Sequence, residues 1–208
     1  MNWLGELVQK EVVPEDSVLS LGCGIMEDVE GLVCSRFIGV DIYRPYIDLL
    51  KKKLPRYDWI LADLRNYQLK ENCCDVILAL DVLEHLEYGE ALNLLKRMQT
   101  AARKKVVIYT PAEFHDNVTE DGKGEKKDVF KWLNEEQISP YRGLGVNPHQ
   151  AHRCVLTEEE LQDLGFVTST ENVDGNIFGI WTKPEATSRS VRSQQKKGNR
   201  KSKTKKAG

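Results

Sequence analysis

Five short runs rich in β-branched and aromatic residues recur along the first half of the chain: Ser17–Leu21, Arg36–Val40, Tyr57–Leu61, Asp75–Leu80 and Lys105–Thr110. Amphipathic stretches separate them. Arg44–Lys53 carries Pro45 where a first helical turn tolerates it, with Tyr46, Ile47, Leu49 and Leu50 inside. Tyr88–Ala102 sets Ala91, Leu92, Leu95 and Met98 three or four residues apart. Strands that are apolar on both faces, alternating with helices, predict a parallel sheet covered on both sides. Further on, Thr157-x-x-Glu160 opens a short helix as a capping box, and Gly165 ends it. Two more runs, Phe166–Thr170 and Asn176–Thr182, lie too close together for a crossover and predict an antiparallel pair. The expected fold is therefore α/β: a doubly wound, mostly parallel seven-stranded sheet ending in an antiparallel hairpin.

Charge divides the chain. From Pro184 onward nine Lys/Arg stand against Glu185 alone, so residues 184–208 read as a disordered basic tail beyond a domain of residues 1–183. The net charge of −2 hides a domain near −10. Such a body does not suit a groove that tracks phosphates, although the tail itself could contact nucleic acid or an anionic surface. No apolar run approaches the ~18 residues of a membrane span, and the first residues lack the pattern of a secretory signal, so a cytoplasmic location is expected. Five scattered cysteines without a C-x-x-C pair read as reduced thiols.

In a doubly wound sheet ligands gather at the carboxyl ends of the strands, near the point where strand order reverses. After the first strand comes Gly22-Cys23-Gly24, a tight turn expected to lead into a helix N-terminus. Glu27 stands where a dinucleotide fingerprint would need its third glycine, and a carboxylate there opposes a pyrophosphate. Asp41 follows the second strand, where an acid accepts from ribose hydroxyls. Asp63 follows the third and is suited to an adenine amine, and Asp81 follows the fourth. One such aspartate is ordinarily a loop or cap residue; three in register at successive strand ends form a pattern.

These segments, Val18–Gly24, Gly39-Val40-Asp41, Ala62-Asp63-Leu64 and Asp75–Leu86, resemble the class I S-adenosylmethionine-dependent methyltransferases over roughly residues 14–112. The Asp-Val-Leu-Glu-His-Leu element is similar to that of the branch acting mostly on small molecules. The resemblance implies S-adenosyl-L-methionine as cofactor. Gly22, Cys23 and Gly24 would lie against its methionine and ribose, Asp41 and Ile42 beside the ribose, Asp63 and Leu64 beside the adenine, and Asp81 and Val82 beside the methionine. Two positions depart from the family: Ser20 replaces an acidic residue and Met26 replaces a glycine.

Methyl transfer is an in-line displacement that needs positioning and, for some acceptors, a base. The stretch 111–153 exceeds a normal connection and reads as a substrate-side insertion or lid, with Asp128–Asn134 as a possible helical piece. It holds His115, His149 and His152 together with Trp132, Tyr141, Arg142 and Arg153. His149 and His152 are the expected catalytic residues, and either arginine could hold an anionic acceptor. His85 reads as structural at the start of a helix. No metal is expected, since nothing supplies further ligands at defined spacing to His149 and His152. The sequence thus points to a methyltransferase for an oxygen or nitrogen of a small-molecule or glycan-type acceptor. A cofactor binder without turnover, suggested by Ser20 and Met26, and an RNA or protein methyltransferase using its tail stand beside it.

Overall fold

The computed structural model describes residues 2–116, 143–145, 147–171 and 173–185. Seven strands, β1 (Ser17–Leu21), β2 (Arg36–Asp41), β3 (Asp58–Leu61), β4 (Cys74–Leu80), β5 (Ala102–Pro111), β6 (Val167–Ser169) and β7 (Asn176–Thr182), form one sheet in the order β3-β2-β1-β4-β5-β7-β6. The first five run parallel, β7 is antiparallel to β5, and β6 is antiparallel to β7. This is the fold expected from the alternation of runs. From β1 the chain steps outward to β3, then returns to start β4 on the other side of β1. The reversal lies between β1 and β4.

Each face of the sheet carries its own core. On one side, α1 (Trp3–Glu11) and α2 (Arg44–Lys53) bury Leu4, Val8, Ile47 and Leu50 against Val18, Phe37, Val76 and Leu78. On the other, α3 (Tyr88–Ala101) and α4 (Glu158–Asp163) bury Ala91, Leu95, Met98 and Leu161 against Leu19, Ile77 and Ile108. The capping box of α4 is present: Thr157 accepts from the Glu160 N–H and Glu160 reaches back to the Thr157 N–H at 2.8 Å. Gly165 takes φ +85, the left-handed stop expected of it.

One helix was not expected from the sequence, and one expected helix is absent. The N-terminal segment forms α1, started by Asn2, whose side chain accepts from the Gly5 N–H at 3.0 Å. Leu4, Val8 and Val12 recur at fours, a helical signal not assigned above. Conversely, no helix follows β1. Gly22, Gly24, Met26 and Gly31 all hold positive φ, which a right-handed helix excludes, so residues 22–35 form successive turns. Met26 has φ +62 while only 3 % exposed, so burial in the core on the α1 and α2 side holds a side chain at a backbone position that favours glycine.

The amino-terminal ends of the parallel strands are tied by ion pairs. Asp75 accepts from the Ser17 N–H (2.9 Å), the Ser17 hydroxyl (2.7 Å) and the Arg103 fork (3.0 and 2.9 Å), which holds its carboxyl far below the ordinary range. Lys104 pairs with buried Asp16, and Lys105 joins Glu11 of α1 to β5 at 2.7 Å. The β7 strand closes with the Lys183 N–H donating to the Lys104 carbonyl. The tail 186–208, the helical piece Asp128–Asn134, Trp132, Tyr141 and Arg142 lie outside the described residues. No helix among the described residues is long and apolar enough to cross a membrane.

Candidate active site

A cavity of about 350 Å³ opens at the carboxyl ends of β1, β2, β3 and β4, where the strand order reverses. Gly22, Cys23, Gly24, Asp41, Ile42, Asp63, Leu64, Asp81 and Val82 all line it. The Gly22 turn needs glycine twice over. Its φ is +64, and a Cβ there would stand 2.5 Å from the Val82 side chain. The next residue locks the turn to the neighbouring strand, the Cys23 N–H donating to the Val40 carbonyl at 3.0 Å.

The acids at the strand ends differ in their partners. Asp41, 6 % exposed, accepts from the Gly24 N–H (2.9 Å) and the Tyr43 N–H (2.8 Å). Burial still raises its pKa, against the pull of those two donors and of His149. Asp63 is gripped by Arg65 through a bidentate fork, Nη2 to Oδ2 at 2.6 Å and Nε to Oδ1 at 2.9 Å, and this hydrogen-bonded cation lowers its pKa. Asp81 stands at φ +50 just past β4, its backbone tied to the Tyr109 carbonyl. Its carboxyl faces the cavity yet is crowded by protein atoms; that desolvation raises its pKa, and Asp28 adds to the shift. Seven carboxylates line the cavity against two guanidinium groups, so its field favours a cationic ligand.

Beyond Asp81 the chain makes a single 3-10 turn, Leu83–His85. Glu84 is 2 % exposed, accepts from the Thr110 hydroxyl at 3.1 Å and has its pKa raised by burial and then by Asp81. Its backbone carbonyl takes the Arg153 N–H (2.7 Å) and the Cys154 N–H (3.3 Å), which clamps the 147–154 segment onto this turn. His85 sets Nδ1 3.4 Å from the Ala151 carbonyl, and burial, with His152 nearby, pushes its pKa down to about 4. At the cavity rim Arg153 pairs with Glu87 at 2.9 Å.

The structure sends His149 and His152, either of which is expected at the acceptor, to different places. Asn147, itself buried, caps the backbone of His149 at 3.0 Å, and His149 lines the cavity close enough to Asp41 and Asp63 to favour the charged form of each. His152 does not line the cavity. Its ring packs on that of His85, centroids 5.1 Å apart, behind the cavity wall. The turn at Asn147 and the clamp on Glu84 send the two side chains to different places. Glu84 and His85 reach Thr110 and His152; the sequence reading has His85 as structural at the start of a helix and assigns Glu84 no part. The Glu-His dipeptide directly after a strand-end aspartate was the available signal, but its partners lie 26 and 67 residues further along.

Residues 19–109 match the family model described as a methyltransferase domain. An uncharacterized protein of Methanocaldococcus jannaschii is 28% identical over 117 residues, which cover 52% of this chain and 51% of that protein; the chain thus spans about half the length of the curated relative it matches. Among solved structures, the N-methyltransferase NodS from Bradyrhizobium japonicum is similar at a TM-score of 0.54 and 16% identity, covering 88% of this chain and 93% of that one. A magnesium protoporphyrin IX methyltransferase from Synechocystis with bound S-adenosylmethionine gives a TM-score of 0.54 at 16% identity, over 87% and 76% of the two chains. A protein from Pyrococcus horikoshii gives 0.59 at 16% identity, over 87% and 88%.

Proposed function

We propose that this chain, whose residues 19–109 match a methyltransferase domain model, transfers a methyl group from S-adenosylmethionine to an oxygen or nitrogen of a small-molecule or glycan-type acceptor. One observation carries this reading: Asp41, Asp63 and Asp81, from three successive strand ends, converge on one cavity whose wall is rich in carboxylates. That wall suits a ligand bearing both a sulfonium and an ammonium, and it opposes a pyrophosphate. When bound, the cofactor supplies an electrophilic methyl carbon. Asp41 keeps lone pairs beyond its two backbone bonds for the ribose diol. Leu64 offers an apolar face to the adenine, and Asp63 stays ionised in the grip of Arg65. Gly22 lets the backbone approach without a Cβ, and Asp81 faces the ammonium.

Catalysis in this cavity rests on placing two reactants in line. His85, Glu87, Glu90 and Arg153, which line the cavity beyond Asp81, form the acceptor side. His149 sits at the Asp41–Asp63 end, so its part is to close the cavity over the cofactor rather than to take the acceptor's proton.

Calorimetry with S-adenosylmethionine, S-adenosylhomocysteine and NAD tests the cofactor assignment. Binding of either sulfur nucleoside and silence toward NAD is the expected result; NAD binding alone overturns it. Acceptors are then screened by release of S-adenosylhomocysteine. With one in hand, His149→Ala should raise the cofactor Kd and leave kcat near wild type, whereas a fall in kcat at unchanged Kd would return His149 to the chemistry.

A further inference from the structure

Directly behind the acceptor side of the cavity, Glu84, His85 and His152 bring one carboxylate oxygen and two imidazole nitrogens within 4.8 Å of one another. We propose that these three side chains form a binding site for a divalent transition-metal cation of the zinc class. The inference goes beyond methyl transfer and does not depend on which acceptor is used.

Donor chemistry is the first argument. Two imidazoles and one carboxylate are a ligand set that first-row ions such as Zn²⁺ accept, with a further position left for water or a ligand. A tetrahedral ion with bonds of ~2.1 Å spaces its donors ~3.4 Å apart, so modest side-chain rotations close the set. His85 Nε2 already lies 3.9 Å from Glu84 Oε1.

The surroundings are the second argument. Ligating groups are normally fixed by outer hydrogen bonds that leave one atom for the ion. Here the Thr110 hydroxyl holds Glu84 Oε2, which leaves Oε1 on the side of His85. His85 sets Nδ1 against the Ala151 carbonyl and turns Nε2 inward. His152 meets the backbone of His115. Each of the three is therefore oriented by a group from another segment, β5, the 147–154 stretch or the turn after β5. The backbone clamp between Glu84 and Arg153–Cys154 holds the two halves of the set together without any metal. Burial is the third argument: a carboxyl 2 % exposed ionises at low cost only when a cation comes beside it, and a divalent ion would supply that charge. Because His85 also lines the cavity, the ion would abut the acceptor side of the proposed methyl-transfer site.

The test titrates the chelator-stripped full-length protein with Co²⁺, then displaces it with Zn²⁺, reading visible absorption and native mass. One equivalent of Co²⁺ with nitrogen and oxygen coordination is expected. His152→Ala and Glu84→Gln should each weaken uptake more than about 100-fold while S-adenosylmethionine binding by calorimetry stays intact. His152→Ala, at the half-buried edge of the set, serves if Glu84→Gln does not fold. No uptake by the wild-type protein overturns the proposal. So does uptake that survives His152→Ala, or a thiolate-to-cobalt charge-transfer band, which would put the ion on cysteines. Loss of cofactor binding in the wild-type protein would instead strike the methyltransferase reading alone.

Discussion

The two ends of the parallel sheet use the same residue types for opposite purposes. At the amino-terminal ends of the strands, Asp16 and Asp75 are met by Lys104, Arg103 and the Ser17 hydroxyl, so their charges are neutralised within the fold. At the carboxyl-terminal ends, Asp41 and Glu84 are raised by burial and Asp81, open to the cavity, by the protein atoms crowding it, and Asp81 and Glu84 sit beside further acids instead of cations. A carboxylate met by a cation contributes to stability. One left crowded among other acids costs stability and waits for a ligand to supply the missing charge. The difference separates a foundation from a candidate binding site within one sheet.

Acid titration gives the largest expected separation of the two ends. His85 has its folded pKa lowered to about 4 from 6.5, so it is neutral in the fold when the unfolded chain has already taken up its proton. Its contribution is complete above 6.5 and is lost as pH falls toward 4, by about 3 kcal/mol. Asp81 and Glu84, both raised, act in the opposite sense over the same range, since protonation relieves them. Comparing wild type with His85→Gln under chelation cancels their part. Denaturation midpoints at pH 7 and pH 4 should show wild type losing about 3 kcal/mol relative to the variant. The lowered carboxyl of Asp75 holds until pH falls below 3.8, so the amino-terminal end yields later.

Asp75→Ala should remove about 2–3 kcal/mol of stability in urea denaturation, the partly exposed Arg103 limiting the loss. The affinity for S-adenosylmethionine should stay within about twofold of wild type. Asp41→Ala should do the reverse: weaken the cofactor by about 1–2 kcal/mol in calorimetry and cost less than that in stability, because removing a buried charge offsets part of the loss of its backbone bonds. If Asp75→Ala instead weakens the cofactor and Asp41→Ala does not, the ends of the sheet have been assigned the wrong way round. The smallest effect belongs to Glu11→Ala, which opens the pair with Lys105. A partly exposed pair of this kind should be worth less than about 1 kcal/mol.

The strands, α2, α3, α4 and the antiparallel close of the sheet were legible because each follows from local patterning: apolar runs, Pro45 at a helix start, a capping box, Gly165. That the nine residues expected around the cofactor line one cavity was legible for the same reason, since the ends of parallel strands meet wherever the sheet forms. Turns after β1 were misread as a helix because positive φ at Met26 is a demand of packing, invisible in a residue that ordinarily prefers helix. The lid expectation rested on length and composition, and much of that stretch lies outside the described residues.

What the sequence determined by itself is the order of elements, and with it the row of Asp41, Asp63 and Asp81, because strand-end position is a property of local periodicity and chain order. What only the tertiary structure decided is which distant groups share a volume. His149 and His152, separated by Gln150 and Ala151, were divided between the cavity lining and the space behind it, while His152 was brought to His85, 67 residues earlier in the chain. Two backbone bonds onto the Glu84 carbonyl made that meeting, and neither leaves a mark on side-chain pattern, since any residue can donate a backbone N–H.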